Sequence, residues 1–428
     1  MSVEKTKTTQ KASFLQKIWL FMLSIGPGIF CIGYTVGTGS VTSMAKAGSQ
    51  FGMQLLWVLF LSCLFSWVLM EAYGRYAVVT GNTSIYSFKT KLKAGKLIAI
   101  LIVVGIVVAQ WNSLSGILGL SANALYEVLR LFMPGLPEEN YWFVLGIAIT
   151  LILIMYSLLW VGKYSFFEKV LIVFVTLMGV SFLISMFVVF PQPADIASGI
   201  VPAIPDVPGG KLLVAAFVGT TMAAPTFVVR PLLMKGKGWT SEHTREQSKD
   251  ALLSASLMFL INLAIMAAAT GALYYEGRTI EKVLDMVYTL EPVAGKFAVV
   301  LFMMGALSAG LSSVFPILMV APLLIADYRD GELDTDSNRF KILTGIASVI
   351  GLTVPILGAN PIAAQIATQV AGVFVLPLVI AGILYLVNRK DMMGEHKAGL
   401  GLNIGLVAAL VFACIISYTG VVALAELF

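Results

Sequence analysis

Two segments of otherwise apolar sequence are rich in glycine, proline and hydroxyl residues, and they hold the side chains best suited to binding a solute. The first reads YTVGTGS from Tyr34, and the second reads FVGTTMAAPTFVVRP from Phe217. Glycine and proline weaken a helix, and at membrane depth the amides and carbonyls that a break releases must line a cavity or be buried in protein. We therefore predict a substrate site between the two breaks. Its candidate residues are Thr35, Gly37, Thr38, Gly39, Ser40, Thr220, Thr221, Ala223, Thr226 and Gln369.

Two charged residues, Arg230 and Glu71, are candidates for an anionic subsite or a gating charge. Arg230 follows the second break, where its permanent positive charge would bind a carboxylate or repel a cation. Two structural interpretations stay open: the guanidinium extends to the membrane edge, or it pairs with Glu71. Glu71 also stands four residues before Arg75, which favours a local ion pair on one helical face.

The residues needed for metal binding or catalysis are scarce. The two histidines, His243 and His396, fall in predicted loops and form no recognisable pair with a nucleophile, so we expect neither an enzyme nor a cofactor. The three cysteines are scattered through apolar segments, which favours packing over a disulfide framework or a metal site. If a cation is carried, Gln369 and Ser40 are its candidate side-chain ligands.

The elements that must position these residues are membrane-spanning helices. Hydrophobic residues make up 58% of the 428 and charged residues 12%, with a mean hydropathy of +0.91, which excludes an ordinary soluble protein. The apolar stretches exceed the ~20 residues that a spanning helix needs. The predicted spans are Lys17–Ala45, Met53–Val79, Leu97–Asn123, Tyr141–Val161, Lys169–Phe190, Leu212–Leu233, Ala251–Tyr274, Gly295–Ala326, Phe340–Leu357, Ile362–Val387 and Leu400–Leu424.

The basic residues predict the orientation of these eleven spans. With the N-terminus in the cytoplasm, 20 lysines and arginines fall in cytoplasmic segments and six fall outside, as the positive-inside rule requires. The C-terminus is then outside a plasma or inner membrane. The net charge of +5 follows from this topology, so it indicates no nucleic-acid partner.

The two interrupted spans indicate an internal repeat. Both contain Val-Gly-Thr, starting at Val36 and Val218, and they are five spans apart. Matched breaks at this distance are typical of an inverted repeat of five plus five helices. We divide the chain into a cytoplasmic tail (1–16), a first repeat (17–190), an extracellular loop (191–211), a second repeat (212–387), and a cytoplasmic loop with an additional helix (388–428).

Several motifs resemble the Nramp family of proton-coupled divalent-metal transporters. The stretches GPGIF, AGSQFG and EAYGRYAVVTG resemble the first two spans of that family, and QVAGVFVLP resembles its tenth. The resemblance covers most of the chain. It implies an all-α integral membrane protein with the LeuT-type five-plus-five inverted repeat, about 11 transmembrane helices, and helices 1 and 6 broken at mid-membrane.

The functional motifs implied by this resemblance are altered. Where the family carries DPGN, this chain reads Gly37–Ser40, and where it carries MPH, it reads Ala223–Pro225. The family's second histidine in helix six falls on Arg230, and only the glutamine of helix ten is matched, by Gln369. The family places carboxylates of its proton route in the third span, but Gln110–Gly116 holds none.

We therefore predict a Nramp-like secondary transporter that works by alternating access. Its site is expected to bind Mn²⁺ and Fe²⁺ weakly and to lack the family's route of proton coupling. A small solute bearing a carboxylate is one candidate substrate, and a hydrated, Mg²⁺-like divalent cation is the alternative. A second alternative is a non-transporting receptor or scaffold. The expected partners are the substrate and the lipid bilayer, and the expected oligomeric state is a monomer.

Overall fold

The computed structural model describes residues 26–161, 164–205, 209–332, 335 and 337–425, and its regular structure within these ranges is helical throughout. The first five spans comprise a broken helix followed by four continuous ones. A short helix connects the second and third spans, and another follows the fifth. These helices are α1 (Gly28–Thr35), α2 (Thr38–Phe51), α3 (Leu56–Thr80), α4 (Ser84–Lys91), α5 (Gly95–Phe132), α6 (Tyr141–Val161), α7 (Tyr164–Val188) and α8 (Pro193–Ser198).

The second five spans repeat the pattern, again beginning with a broken helix. Single 3₁₀ turns precede and follow the seventh span, and another lies before the last helix. The helices are α9 (Gly210–Thr221), α10 (Ala224–Gly236), α11 (Thr244–Leu273), α12 (Val283–Asp330), α13 (Asn338–Gly351), α14 (Thr353–Leu357), α15 (Pro361–Val373), α16 (Leu376–Val387), α17 (Lys390–Met393) and α18 (Leu400–Ala425).

The structure matches ten of the eleven predicted spans. Ten helical stretches of the described chain are long and apolar enough to cross a membrane. The broken helix α1–α2 lies where the first span is predicted, and the predicted beginning of that span, residues 17–25, lies outside the described residues. The matched breaks in spans one and six give the five-plus-five arrangement of the LeuT-type fold.

Burial separates the helices that form the centre of the bundle from those that face lipid. In the most apolar stretch of span six, 94% of residues are buried, against 22% in α6 and in α18. Around this centre α12 packs on α5 and α7, α11 packs on α2 and α3, and α9 packs on α15. The two breaks therefore lie where lipid does not reach their released amides and carbonyls.

Several helical boundaries differ from the sequence prediction. The third span extends to Phe132, well beyond the predicted Asn123. The ninth is divided after Gly351, and the tenth is divided at Phe374 and Val375. Pro377 explains the last division, because proline is tolerated in the first turn of the new helix α16 but not in a helix interior.

Candidate functional site

The two breaks are short and non-helical. In span one, α1 ends at Thr35, Val36 has φ −91° and ψ 64°, and Gly37 is extended at the start of α2. In span six, Met222 has φ −105° and ψ 47°, and Ala223 precedes α10. Each break leaves carbonyls at the end of one half-helix and amides at the start of the next without their helical partners.

Hydroxyl side chains bridge the two breaks. Ser40 Oγ donates to the carbonyl of Thr35 at 2.8 Å and lies 3.0 Å from Thr220 Oγ1. Thr220 Oγ1 also donates to the carbonyl of Thr35, at 3.2 Å. Thr35 Oγ1 and Thr226 Oγ1 are 3.1 Å apart. The carbonyl released at the end of α1 is thus satisfied by both halves of the repeat, and the breaks are held against each other.

A cavity of about 20 Å³ lies between the breaks, large enough for a single water molecule. In the described chain, the side-chain oxygens Tyr34 Oη and Thr38 Oγ1 have no hydrogen-bond partner. Both residues line the cavity, so their hydroxyls are available to a molecule within it. The residues that line the cavity are Tyr34, Gly37, Thr38, Gly39, Gln110, Ser113, Ile117, Thr220, Ala223, Ser313, Ile317 and Gln369.

Gln369 brings the tenth span against both breaks. A methyl group added at Gly39 would lie 2.3 Å from Gln369 Nε2, and one added at Gly219 would lie 2.0 Å from the Gln369 carbonyl oxygen. The backbone contact requires glycine at position 219, whereas a larger residue at position 39 would displace the Gln369 side chain. Gln369 Nε2 is 3.4 Å from Gln365 Oε1, and Gln365 Nε2 donates to the Ser113 carbonyl at 2.5 Å. The amide side chain at the cavity is therefore oriented by the third span.

The structure assembles most of the predicted site residues. Gly37, Thr38, Gly39, Thr220, Ala223 and Gln369 line the cavity. Thr35, Ser40 and Thr226 belong to the hydrogen-bond network that joins the breaks. Thr221 donates instead to the carbonyl of Phe217 in its own helix.

Ser313 was missed by the sequence analysis, although it lines the cavity from α12. Its hydroxyl occupies the space next to Gly37, where an added methyl group would lie only 2.1 Å from Ser313 Oγ. The sequence gives no local signal for this contact, because the two residues are joined only when spans one and eight pack together. Any side chain at position 37 requires Ser313 to move.

Arg230 is fully buried, and its partner is Asp250 on α11. The distance from Arg230 Nη2 to Asp250 Oδ2 is 2.7 Å. The guanidinium also donates to the Gln247 carbonyl at 3.3 Å and contacts Cys31 Sγ at 3.9 Å. The interpretations that Arg230 pairs with Glu71, or extends to the membrane edge, are wrong. Sequence inspection missed Asp250, although a carboxylate directly before an apolar span was a usable signal.

Glu71 does not contact Arg230 directly, and Gln247 lies between them, with its carbonyl bonded to Arg230 and its side chain to Glu71. The local ion pair with Arg75 is confirmed, with Arg75 Nη2 at 2.6 Å from Glu71 Oε1. Gln247 Nε2 and Ser248 Oγ donate to the other carboxylate oxygen at 2.8 and 2.7 Å. Glu71 does not line the central cavity.

Charged residues gather at a second, larger cavity instead. This cavity, of about 360 Å³, lies between the ends of the third, fourth and ninth spans. Glu127, Glu139, Lys282 and Asn360 are among its lining residues, and it shares none with the central cavity. Within the described ranges, histidine, cysteine and carboxylate side chains form no group of three that could hold a metal ion.

Comparison with known proteins identifies the family. The profile described as "Natural resistance-associated macrophage protein-like" (Nramp) matches residues 28–423. The divalent metal cation transporter MntH of Deinococcus radiodurans is 24% identical over 382 residues, covering 86% of this chain and 83% of the relative. A manganese transporter of Eremococcus coleocola superposes with a TM-score of 0.72 at 15% identity, covering 100% of this chain and 91% of that one. The structure of MhsT in complex with L-phenylalanine superposes with a TM-score of 0.64 at 15% identity, covering 94% of this chain and 98% of that one. The chain therefore belongs to the Nramp family of multipass membrane transporters.

Proposed function

We propose that this protein is an alternating-access transporter whose central site does not hold Mn²⁺ or Fe²⁺ tightly. The observation that carries the proposal is the chemistry of the cavity lining, which offers hydroxyl, amide and backbone groups but no carboxylate, imidazole or thioether. A lining without carboxylate or thioether offers neither an anionic nor a soft ligand by which to select Mn²⁺ or Fe²⁺, and a dehydrated divalent charge at this depth is costly without a compensating anion. The second, larger cavity is a candidate vestibule at one end of the bundle.

The packing around Gly37 supports the same conclusion. The resemblance to the family expects a metal-binding aspartate at position 37 and a methionine at position 223. Here the space beside Gly37 is occupied by the Ser313 hydroxyl, which donates to the Gly33 carbonyl at 2.8 Å. Since the neighbouring span fills this space, the loss of the carboxylate is built into the packing of spans one and eight.

A hydrated hard cation such as Mg²⁺ is the first candidate substrate, since its water shell reduces the charge that the lining must compensate. Asp250 neutralises Arg230, so the guanidinium no longer opposes a cation in the cavity. Mg²⁺ prefers oxygen ligands and keeps part of its water shell, which lowers the number of protein ligands that it needs. The curated relatives carry the name divalent metal cation transporter. The cavity must widen for this substrate, as alternating access allows.

A small solute with a carboxylate is the second candidate. The observation that favours it is the start of α2, where Gly37 opens the half-helix beside the unpartnered hydroxyls of Tyr34 and Thr38. Amides at a helix N-terminus bind anionic groups well. MhsT has the same fold and was solved with an amino acid. Arg230 does not contribute to this subsite, because it is bound to Asp250.

Uptake into proteoliposomes distinguishes these substrates. We expect uptake of Mg²⁺, and we expect an equal concentration of Mn²⁺ to inhibit this uptake only weakly. The change Gln369→Ala should reduce Mg²⁺ uptake at least about tenfold, which is the effect of losing 1.4 kcal/mol of binding free energy. The matched control is Thr42→Val, because the Thr42 hydroxyl bonds only to carbonyls of its own helix. Micromolar Mn²⁺ affinity that disappears in Gln369→Ala would contradict the proposal, and uptake of amino acids without Mg²⁺ would favour the second candidate.

A further inference from the structure

A cluster of basic residues lies where α4 turns into α5 and where the chain leaves α16. Segments 89–96 and 389–397 hold seven lysines and arginines against two carboxylates. Arg389 Nη1 donates to the carbonyl of Lys91 at 3.2 Å, so the two segments are in contact. Lys91, Lys93 and Lys96 are exposed. We call these three lysines and Arg389 the basic patch.

Neighbouring charges are used within the protein, but two charges of the basic patch are not. Lys89 Nζ donates to a carbonyl at the end of α12 at 2.7 Å, and Arg389 Nε donates to Asp391 Oδ1 at 2.9 Å. The ammonium groups of Lys93 and Lys96 make no hydrogen bond or ion pair within the described part of the chain. Their positive charges are therefore available to an anion from outside the protein.

The basic patch lies at the end of a surface that faces lipid. On α16, Tyr385 is 48% exposed, and the Arg389 guanidinium lies 5.8 Å from the centre of its ring. Tyrosine is typical of the membrane–water interface. On α5, the apolar residues on the same face as Lys96 are 45% to 59% exposed, and they are Leu97, Ile100, Leu101 and Val104. The basic patch is therefore at the depth of lipid headgroups.

We propose that the basic patch binds the phosphate of an anionic phospholipid whose acyl chains lie along α5 and α16. Lysine and arginine bind phosphate through charge-assisted hydrogen bonds, and clusters of them beside a spanning helix attract anionic lipids. A free phosphate ion could use only these charges, whereas a lipid also contacts the exposed apolar face of α5, which is continuous with the basic patch. The inference goes beyond the proposed function and does not depend on which substrate is carried.

A lipid bound here would fasten several elements together. The basic patch combines the end of α4, the start of α5 and the end of α16. Helix α4 is itself attached to span eight, because Asp327 accepts the backbone amides of Ile85 and Tyr86, both at 3.1 Å. A ligand that binds only the folded protein raises its unfolding midpoint. Lipid binding at this junction is therefore measurable as thermal stabilisation.

Thermal unfolding of the purified full-length protein in an uncharged detergent, without substrate, tests the site. Unfolding midpoints are measured with added phosphatidylglycerol, with phosphatidylcholine of the same acyl chains, and with inorganic phosphate. We expect phosphatidylglycerol to raise the midpoint in a saturable way, and the other two to raise it little at the same concentration.

Glutamine variants assign the effect to the basic patch. Lys93→Gln with Lys96→Gln should raise the half-saturating concentration of phosphatidylglycerol at least about tenfold, whereas Lys93→Arg with Lys96→Arg should keep it. The matched control is Arg245→Gln with Lys249→Gln. This pair removes the same number of exposed positive charges, but Glu246 stands between its members in the sequence.

Three outcomes would overturn the proposal. Phosphatidylcholine that stabilises as well as phosphatidylglycerol would show that the charge of the lipid is not recognised. Inorganic phosphate that stabilises equally would assign the basic patch to a soluble anion. An unchanged response of the glutamine variant to phosphatidylglycerol would place the lipid elsewhere. If the double glutamine variant does not fold, the single changes Lys93→Gln and Lys96→Gln replace it. Because no substrate is present, failure here leaves the proposed function untouched.

Discussion

The fully buried Arg230 requires a counter-charge, and Asp250 supplies it. The Asp250 carboxylate also accepts hydrogen bonds from the backbone amides of Gly26 and Gly28, at 2.8 and 3.1 Å, in addition to its ion pair with Arg230. Removing one member of a buried pair leaves an uncompensated charge, which is far more costly than removing both. Each member of the pair is thus required as long as the other is present.

Arg230→Leu should strongly destabilise the protein, and adding Asp250→Asn should restore much of the loss. The single change leaves the Asp250 carboxylate buried without its cation, at a cost of roughly 3 to 5 kcal/mol. Asparagine keeps an oxygen that can accept the amides near the start of α1. The free energy of unfolding in detergent measures both variants. A double variant no more stable than Arg230→Leu would show that the ion pair itself is what the fold requires.

Gly37 and Ser313 decide the chemistry of the cavity together. Gly37→Asp alone should not create a Mn²⁺ site, because the new side chain meets Ser313 Oγ at 2.1 Å from its Cβ. Gly37→Asp with Ser313→Gly and Ala223→Met supplies the space, the anion and the thioether, so Mn²⁺ affinity should rise at least about tenfold over the parent. Titration calorimetry measures the Mn²⁺ affinity of each variant. Equal Mn²⁺ affinity for the single and the triple variant would refute the role of Ser313.

At the scale of elements, Asp250 attaches the half-helix α1 to α11. The contacts with Gly26 and Gly28 secure its beginning, and the Gly33 carbonyl secures its end against α12. A half-helix of eight residues has little stability of its own. Its position therefore depends on these few contacts, which suits an element that must move during alternating access.

Gly28→Ala should loosen α1. A methyl group there would lie 1.9 Å from Ser254 Oγ and 2.7 Å from Asp250 Oδ1. Cys31 is buried on the same half-helix and reports its detachment through the rate of maleimide labelling, once the other two cysteines are replaced. A loss of 1.4 kcal/mol in docking raises this rate about tenfold. Gly146→Ala is the control, since nothing lies within 4 Å of its added methyl group; equal labelling in both would contradict the prediction.

The sequence predicted the breaks but not their surroundings. Gly37 and Gly39, with the hydroxyl residues beside them, are local features of the sequence, and they identified the first break correctly. The partners of Gly37 and Arg230 come from other spans, Ser313 on α12 and Asp250 on α11, and such contacts exist only after packing. Local patterns therefore determined which helices break, and tertiary packing determined what chemistry the breaks present.

At the scale of the whole molecule, the predicted eleven spans would place the two termini on opposite sides of the membrane. We expect the N-terminus in the cytoplasm and the C-terminus outside, because the lysine and arginine count favours this orientation 20 to six. Reporter fusions that fluoresce only in the cytoplasm should be bright at the N-terminus and dark at the C-terminus. Two bright fusions would require an even number of spans.

An imposed pH gradient should not drive uptake by this protein. Proton relays through membranes ordinarily use aspartate, glutamate or histidine, yet α5 carries no such residue between Gly95 and Glu127. Glu71 is held by Arg75, Gln247 and Ser248, outside the central cavity. Proteoliposomes should therefore take up substrate at the same rate with and without an inward proton gradient, and Glu71→Gln should leave that rate within about twofold, since it keeps the acceptor for Gln247 and Ser248. Substrate-dependent acidification of the lumen that vanishes in Glu71→Gln would instead show that protons follow a route through this carboxylate.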